Sequence, residues 1–308
     1  MAENRPIIKL VSVFNKGKLL ILPGWHPEIS TQILTIMHKM QSMISYLFQS
    51  FPQKFFENEG LTLQEVVDLV EDYNKVAKPY ALTWSGSYNT ENLGDWGYSQ
   101  CKDDVAQDIV NWAYGMVINP QIDNNDEDNG KPHLNEISKI CDEARIGEHD
   151  VFVDLGCGVG QFVYFVAAYA RCKKTIGIEI SDQPFKFATE VSGYFEKLMA
   201  HFGKRFGKFE ISHGDFLEEK YRALICEEAT VLFINNKMFD ETLTHQLKVI
   251  LRNLKAGTKV ITTKPVCDIR HDDVNGDGPC NCQEWYENHQ TPGGTGEESQ
   301  KYSLMVIN

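Results

Sequence analysis

The segment VFVDLGCGVGQ, residues 151–161, limits the fold of this chain more tightly than any other stretch. An apolar run carrying Asp154 near its end leads into three glycines at alternate positions, Gly156, Gly158 and Gly160, and an apolar stretch opens at Gln161. That pattern predicts a buried strand, a tight turn and a helix, because glycine lets the backbone bend sharply and lie against a ligand. The spacing G-C-G-V-G departs from the dinucleotide fingerprint G-x-G-x-x-G, and a carboxylate beside the turn repels a pyrophosphate while it suits an ammonium group.

Around this segment, strands and helices alternate from Ile146 onward. We expect strands at 151–155, 175–179, 230–234 and 259–263, a helix from Gln161, a long helix from Asp182, and a helix over 241–255 capped by Asp240 and ended by Gly257. Such alternation predicts an α/β fold with a doubly wound, Rossmann-like parallel sheet. Residues 266–300 lack a period and read as a long loop region around one strand, with 302–307 as a final edge strand.

The first half reads as helical. Apolar residues recur at helical spacing over 28–50, and Thr62 with Glu65 has capping-box spacing ahead of a second helix that Pro79 ends. Further helices are expected over 103–114 and 134–144. Met37, Met40 and Met43 fall on one face, which we read as core filling rather than a soft-ligand stripe. The division expected is a helical N-terminal domain over 1–146 and a catalytic domain over 147–308.

Composition excludes some classes of function. With 308 residues, 42% of them hydrophobic, the chain can bury a full core without staples. A formal charge of −13 argues against coating nucleic acid with the whole surface. Eight cysteines without framework spacing suggest a reducing, intracellular compartment, and no stretch reaches transmembrane length or looks like a cleavable leader.

The chemistry of the turn points to S-adenosylmethionine, which offers an ammonium group and a ribose but no phosphate. Glu179, at the end of the second strand, stands where a carboxylate accepts two ribose hydroxyls, and Asp215 and Phe216 of HGDF supply an acceptor and a ring for adenine. In FINNKMF, the amides of Asn235 and Asn236 and the ring of Phe239 fall near the reactive end. Amides orient an amine without charging it. A lysine acceptor, with an ordinary pKa of about 10.4, loses its proton more easily when an apolar channel desolvates it. No general base is evident, and an in-line displacement held at short range needs none.

Taken in order, VFVDLGCGVGQ, IGIEISD, HGDF, FINNKMF and TTKP resemble the disruptor-of-telomeric-silencing (Dot-type) histone lysine methyltransferases, and LVEDYNKVAKPYALTW resembles the helix that leads to their cofactor-covering segment. The resemblance implies a non-SET enzyme of the nucleus that methylates a lysine on the globular face of histone H3 in nucleosomes. It implies cofactor contacts from Gly156, Gly158, Gly160, Gln161, Glu179, Asp215 and Phe216, with Asp154 beside them. Asn235 and Phe239 would shape the methyl-transfer end, and Tyr302 matches a channel tyrosine. Where the family has a closing Tyr-Gly-Glu-Thr segment this chain has DNNDEDNGKPH, and GGTGEESQKYSL lacks the family's channel tryptophan. The alternative is therefore a cofactor-binding but catalytically impaired member acting as a chromatin or regulatory module. Methylation of another protein or a small amine is a third reading.

Two further clusters stand out. Lys197, Lys204, Arg205 and Lys208, with Arg171, Lys173 and Lys174, form either a contact for DNA phosphates or an ordinary solvated face. The family's basic nucleosome-binding tail is absent, and the loop CDIRHDDVNGDG is acidic, so an accessory chromatin partner is one expectation. Cys267, Cys280 and Cys282 with His271 and His289 invite a zinc site, but C-x-C is not a usual chelating spacing, and we expect loop cysteines and no metal.

Overall fold

A computed structural model describes residues 7–22, 27–44, 61–83, 93–117, 134–266, 286–289 and 302–308. The acidic run 123–128, the closing stretch 123–133, the loop 267–278, residues 293–300, Cys280 and Cys282 lie outside the described residues. By contact, the chain forms two compact units, 1–122 with 189–206 and 123–188 with 207–308.

The first unit opens with two strands that the helical reading omitted, β1 (Ile8–Val11) and β2 (Leu19–Leu22), paired antiparallel with Leu10 opposite Leu20. Ile8, Leu10, Leu20 and Leu22 point inward while Lys9, Leu19 and Ile21 are exposed, a two-residue period too short to compete with the longer helical patterns beside it. The helices are α1 (Pro27–Met43), α2 (Leu63–Thr83) and α3 (Asp103–Gly115). Proline opens α1, where a missing N–H costs nothing. Met37, Met40 and Met43 are buried core residues. At the start of α2, the Thr62 N–H donates to Glu65 Oε2 at 2.8 Å, the expected box. Pro79 does not end α2. The helix runs four residues further, because Val66, Val70, Tyr73, Ala77 and Ala81 form one buried face whose packing outweighs the loss of one backbone bond. Asn74 of α2 borders β1: its Nδ2 donates to Lys9 O at 2.7 Å and its Oδ1 accepts from Val11 N at 2.7 Å.

Lys204 is the correction to the basic cluster. It is 6% exposed, and its ammonium donates to the carbonyls of Trp96 at 2.7 Å, Tyr98 at 2.6 Å and Asp95 at 3.4 Å. The group also lies 5.4 Å from the centre of the Trp96 ring, and burial pulls its pKa down to about 8. A charge so enclosed holds its own chain and offers nothing to DNA. Trp96, Trp112 and Phe202 pack as one aromatic cluster, with Phe14 against Phe202. His201 beside it is buried with neither ring nitrogen hydrogen-bonded, and burial lowers its pKa to about 3.

The second unit holds α4 (Leu134–Glu143), β3 (Val151–Leu155), α5 (Gln161–Tyr169), β4 (Lys174–Glu179), the start of α6 (Asp182–His201), β5 (Phe209–His213), β6 (Val231–Ile234), α7 (Glu241–Leu251), β7 (Lys259–Thr262), β8 (Tyr286–His289) and β9 (Ser303–Ile307). The seven strands lie in the order β5-β4-β3-β6-β7-β9-β8. Strands β3 to β7 pair parallel, whereas β9 pairs antiparallel with β7 and β8. This is the doubly wound, Rossmann-like α/β fold that the alternation predicts. Asp240 caps α7 by accepting from Leu243 N at 2.7 Å, but the helix closes at Leu251, and Gly257 turns the chain into β7 instead. β9 is not the edge strand expected at 302–307, because β8 pairs along its other side. Val153, Leu155, Leu232, Ile234, Leu247 and Leu251 belong to one buried core.

Candidate functional site

Strand order reverses between β3 and β6, since β4 and β5 continue to one side and β6 and β7 to the other. At such a switch point the carboxyl ends of the strands splay apart and leave a crevice. The glycine turn sits there. The N–H groups of Gly156 and Cys157 both donate to Ile178 O, at 2.9 and 3.1 Å, which ties the turn to the end of β4. Gly156, Gly158 and Gly160 all have positive φ, at 81°, 56° and 80°, where side-chain-bearing residues are strained. A Cβ on Gly156 or Gly158 would meet nothing within 4 Å, so open space lies over the turn. One on Gly160 would come within 3.0 Å of the Tyr164 ring and 3.1 Å of Ile211, so this glycine serves packing as well.

Two carboxyl groups lie at the turn. Glu179, 6% exposed, accepts from the N–H of Gly158 and the N–H of Ser181, both at 2.7 Å. Asp154 is 2% exposed, and its Oδ1 accepts no hydrogen bond. Burial, and then the charge of Glu179, push the Asp154 carboxyl well above the usual carboxylate range. A buried carboxyl oxygen without a donor is costly unless a ligand completes it, and a cationic group does so best. Cys157 is held as a thiol by burial and by these two acids, so it is no nucleophile.

The remaining predicted residues come together in part. Gln161 opens α5 and is partly exposed. Asp215 is partly exposed and commits Oδ1 to the N–H of Leu217 at 2.9 Å. Phe216, after β5, stacks on Phe239, after β6, with centroids 6.2 Å apart and planes at 19°. Asn235 follows β6 directly, and its Oδ1 accepts from Thr263 Oγ1 at 2.9 Å. Tyr302 precedes β9, where Ser303 pairs with Thr262, and its hydroxyl donates to Glu143 of α4. Lys208 and Lys173 immediately precede β5 and β4, and Lys174 opens β4, so all three mark the amino edge of the sheet, opposite the glycine turn; Lys174 pairs with Glu210 at 3.1 Å and Arg171 with Glu148.

Two residues inside the quoted motifs, Gly177 of IGIEISD and His213 of HGDF, shape the site in ways the sequence reading did not assign. A Cβ on Gly177, in the middle of β4, would fall 2.5 Å from Cys157 Sγ and 2.8 Å from Val163 Cγ2. Its bare backbone is therefore the seat of the glycine turn. His213 stacks on Phe185 at 4.8 Å, and its Nε2 lies 3.0 Å from Ile180 O and 3.2 Å from Asp182 Oδ1, which anchors the loop after Glu179. Neither has a sequence signal, because each is defined by a partner on another strand or loop.

Among known proteins, the family model "Histone methylation protein DOT1" matches residues 125–285, just over half of the chain. A Caenorhabditis elegans protein named as an H3 lysine-79 specific histone-lysine N-methyltransferase is 42% identical over 85% of this chain and 28% of its own length. A Drosophila melanogaster protein of the same name is 31% identical over 65% of this chain and 11% of its own. The chain thus spans less than a third of either relative. A putative rRNA methylase from Clostridium thermocellum aligns with a TM-score of 0.38 at 14% identity, over 57% of this chain and 95% of that one, too slight a likeness to carry an argument. With the family model falling across the glycine turn, both buried acids and the Asn235–Phe239 segment, this chain belongs to the family of the histone methylation protein DOT1.

Proposed function

We propose that this chain is an S-adenosylmethionine-dependent protein lysine N-methyltransferase acting on a lysine of the globular core of histone H3 in nucleosomes, and so in the nucleus. The observation that carries this reading is the pair of buried acids at an open glycine turn, one of them with an oxygen awaiting a donor. Asp154 suits the ammonium group of the cofactor, Glu179 its ribose hydroxyls, and Asp215 with Phe216 its adenine. Bound there, the cofactor supplies an electrophilic methyl group. The stacked rings of Phe216 and Phe239 present apolar surface beside the turn, and an amine desolvated against such surface is favoured in its neutral form. The names of the two animal relatives support histone H3 as the acceptor. Lys197, Arg205 and Lys208 are exposed and open to phosphate contact; an accessory partner would supplement so small a basic surface.

The test combines calorimetry with S-adenosylmethionine and incubation of labelled cofactor with nucleosomes. Binding together with label on histone H3 is expected. Binding without label on any histone would replace the enzyme by a cofactor-loaded chromatin module, and failure to bind would remove both readings.

A further inference from the structure

The turn HGDF, which carries Asp215 and Phe216 away from the end of β5, is braced by a residue that lies beyond it in sequence. Tyr221 closes the short 3-10 turn Glu219–Tyr221 and is 6% exposed. Its hydroxyl donates to His213 O at 3.2 Å, and with that proton committed, Ser212 Oγ, 2.8 Å away, is the donor to the phenol oxygen. The phenol also covers Gly214: a Cβ there would come within 2.7 Å of Tyr221 Oη, an atom that a buried ring cannot swing aside. One hydroxyl thus holds residues 212–214 in succession. From the other side, the Gly214 N–H donates to Glu179 O at 2.9 Å, which ties the same turn to the end of β4.

What the brace presents is Asp215. Its N–H donates to Glu218 Oε1, its carbonyl accepts from the Glu218 N–H, and its Oδ1 accepts from the Leu217 N–H, each at 2.9 Å. Oδ2 is the oxygen left for a ligand, and an aspartate oxygen that accepts selects a ligand that brings a donor. We propose that Tyr221 is a positioning residue for adenine recognition, setting through Ser212 and His213 the turn from which Asp215 Oδ2 accepts the exocyclic amino group. A loosened turn weakens that one hydrogen bond, while the ribose and ammonium contacts belong to other strand ends. The ligand in this inference rests on the methyltransferase reading, whereas the brace itself does not.

The test is calorimetry with S-adenosylhomocysteine and with its purine analogue, in which hydrogen replaces the exocyclic amino group. The wild type should prefer the adenine compound by about tenfold, since the analogue leaves Asp215 Oδ2 without its donor. Tyr221→Phe keeps the buried ring and removes the hydroxyl. In it the preference should shrink by about threefold, with the loss confined to the adenine compound and the analogue bound as before. Ser212→Ala should shrink the preference in the same sense, and Ser212→Thr, which restores a hydroxyl, should recover it. Hydrogen exchange at the Gly214 and Asp215 amides should quicken in Tyr221→Phe. If Tyr221→Phe fails to fold, Ser212→Ala decides. A full preference retained in Tyr221→Phe would overturn the proposal, as would a wild type without any preference. So would an equal loss of affinity for both compounds, which marks a merely structural residue. A wild type that binds neither compound would sink the cofactor reading and the adenine role with it, and exchange at the Gly214 amide would then show whether Tyr221 holds the turn.

Discussion

Each unit of this molecule buries an ionised or ionisable group, and the two treat it in opposite ways. In the first, the Lys204 ammonium is enclosed and fully used: its three N–H donors face three backbone carbonyls of residues 95–98. In the second, Asp154 is enclosed and left incomplete, with one oxygen accepting nothing and Glu179 beside it as a further acid. A satisfied charge specifies structure, because removing it strands its partners. A buried carboxyl left with an open oxygen at a glycine turn is a cost that a bound cationic group can offset. His201 complicates the first unit, since it is buried without hydrogen bonds, but as a neutral ring it carries no charge to satisfy.

Breaking the satisfied charge should have the largest effect at neutral pH. Lys204→Met leaves two close carbonyl acceptors without a donor, and we expect a loss of roughly 2 to 4 kcal/mol in urea unfolding, without any change in affinity for DNA. An unchanged midpoint would return Lys204 to the surface set. Next comes acid. The unfolded imidazole takes up a proton near its ordinary value of about 6.5, whereas the buried ring resists down to about 3, so stability is complete above 6.5 and falls as pH drops through that window. The slope from this one group is about 1.4 kcal/mol per pH unit, and His201→Leu should flatten the acid limb of the melting curve. A variant with the same acid limb as the wild type would deny the ring that role. On the other side of the comparison, Glu179→Ala should weaken cofactor binding by roughly 1 to 3 kcal/mol in calorimetry, through lost charge-assisted hydrogen bonds. Equal affinity would mean that its carboxylate serves only the N–H groups of Gly158 and Ser181.

Much of the site was legible along the chain. The order of Asp154, the three glycines, Glu179 and Asp215 is local: each follows its own strand, and each strand announces itself by an apolar run. The hairpin of β1 and β2 was less visible because its alternation lasts only four residues on each side. The reading of Pro79 as a stop failed for a different reason, since the buried face of α2 from Val66 through Tyr73 to Ala81 outweighs a local rule about proline. Lys204 stood in the sequence among cations and looked like one of them, yet the carbonyls that enclose it lie more than a hundred residues earlier. Nothing in KRFGK distinguishes it from Lys208.

The turn at residues 151–161 was therefore determined by sequence alone, because positive φ at three positions and an acid at the end of a strand are properties of adjacent residues. What only the tertiary structure decided is what each group touches: Cys157 seated on Gly177, Asp154 left without a donor, and Asn236 clasping the backbone of Lys264. Those relations join residues from neighbouring strands of a sheet whose order is not the order of the chain. Hydrogen bonds and steric seats depend on contact across that sheet, and spacing along one strand does not encode them.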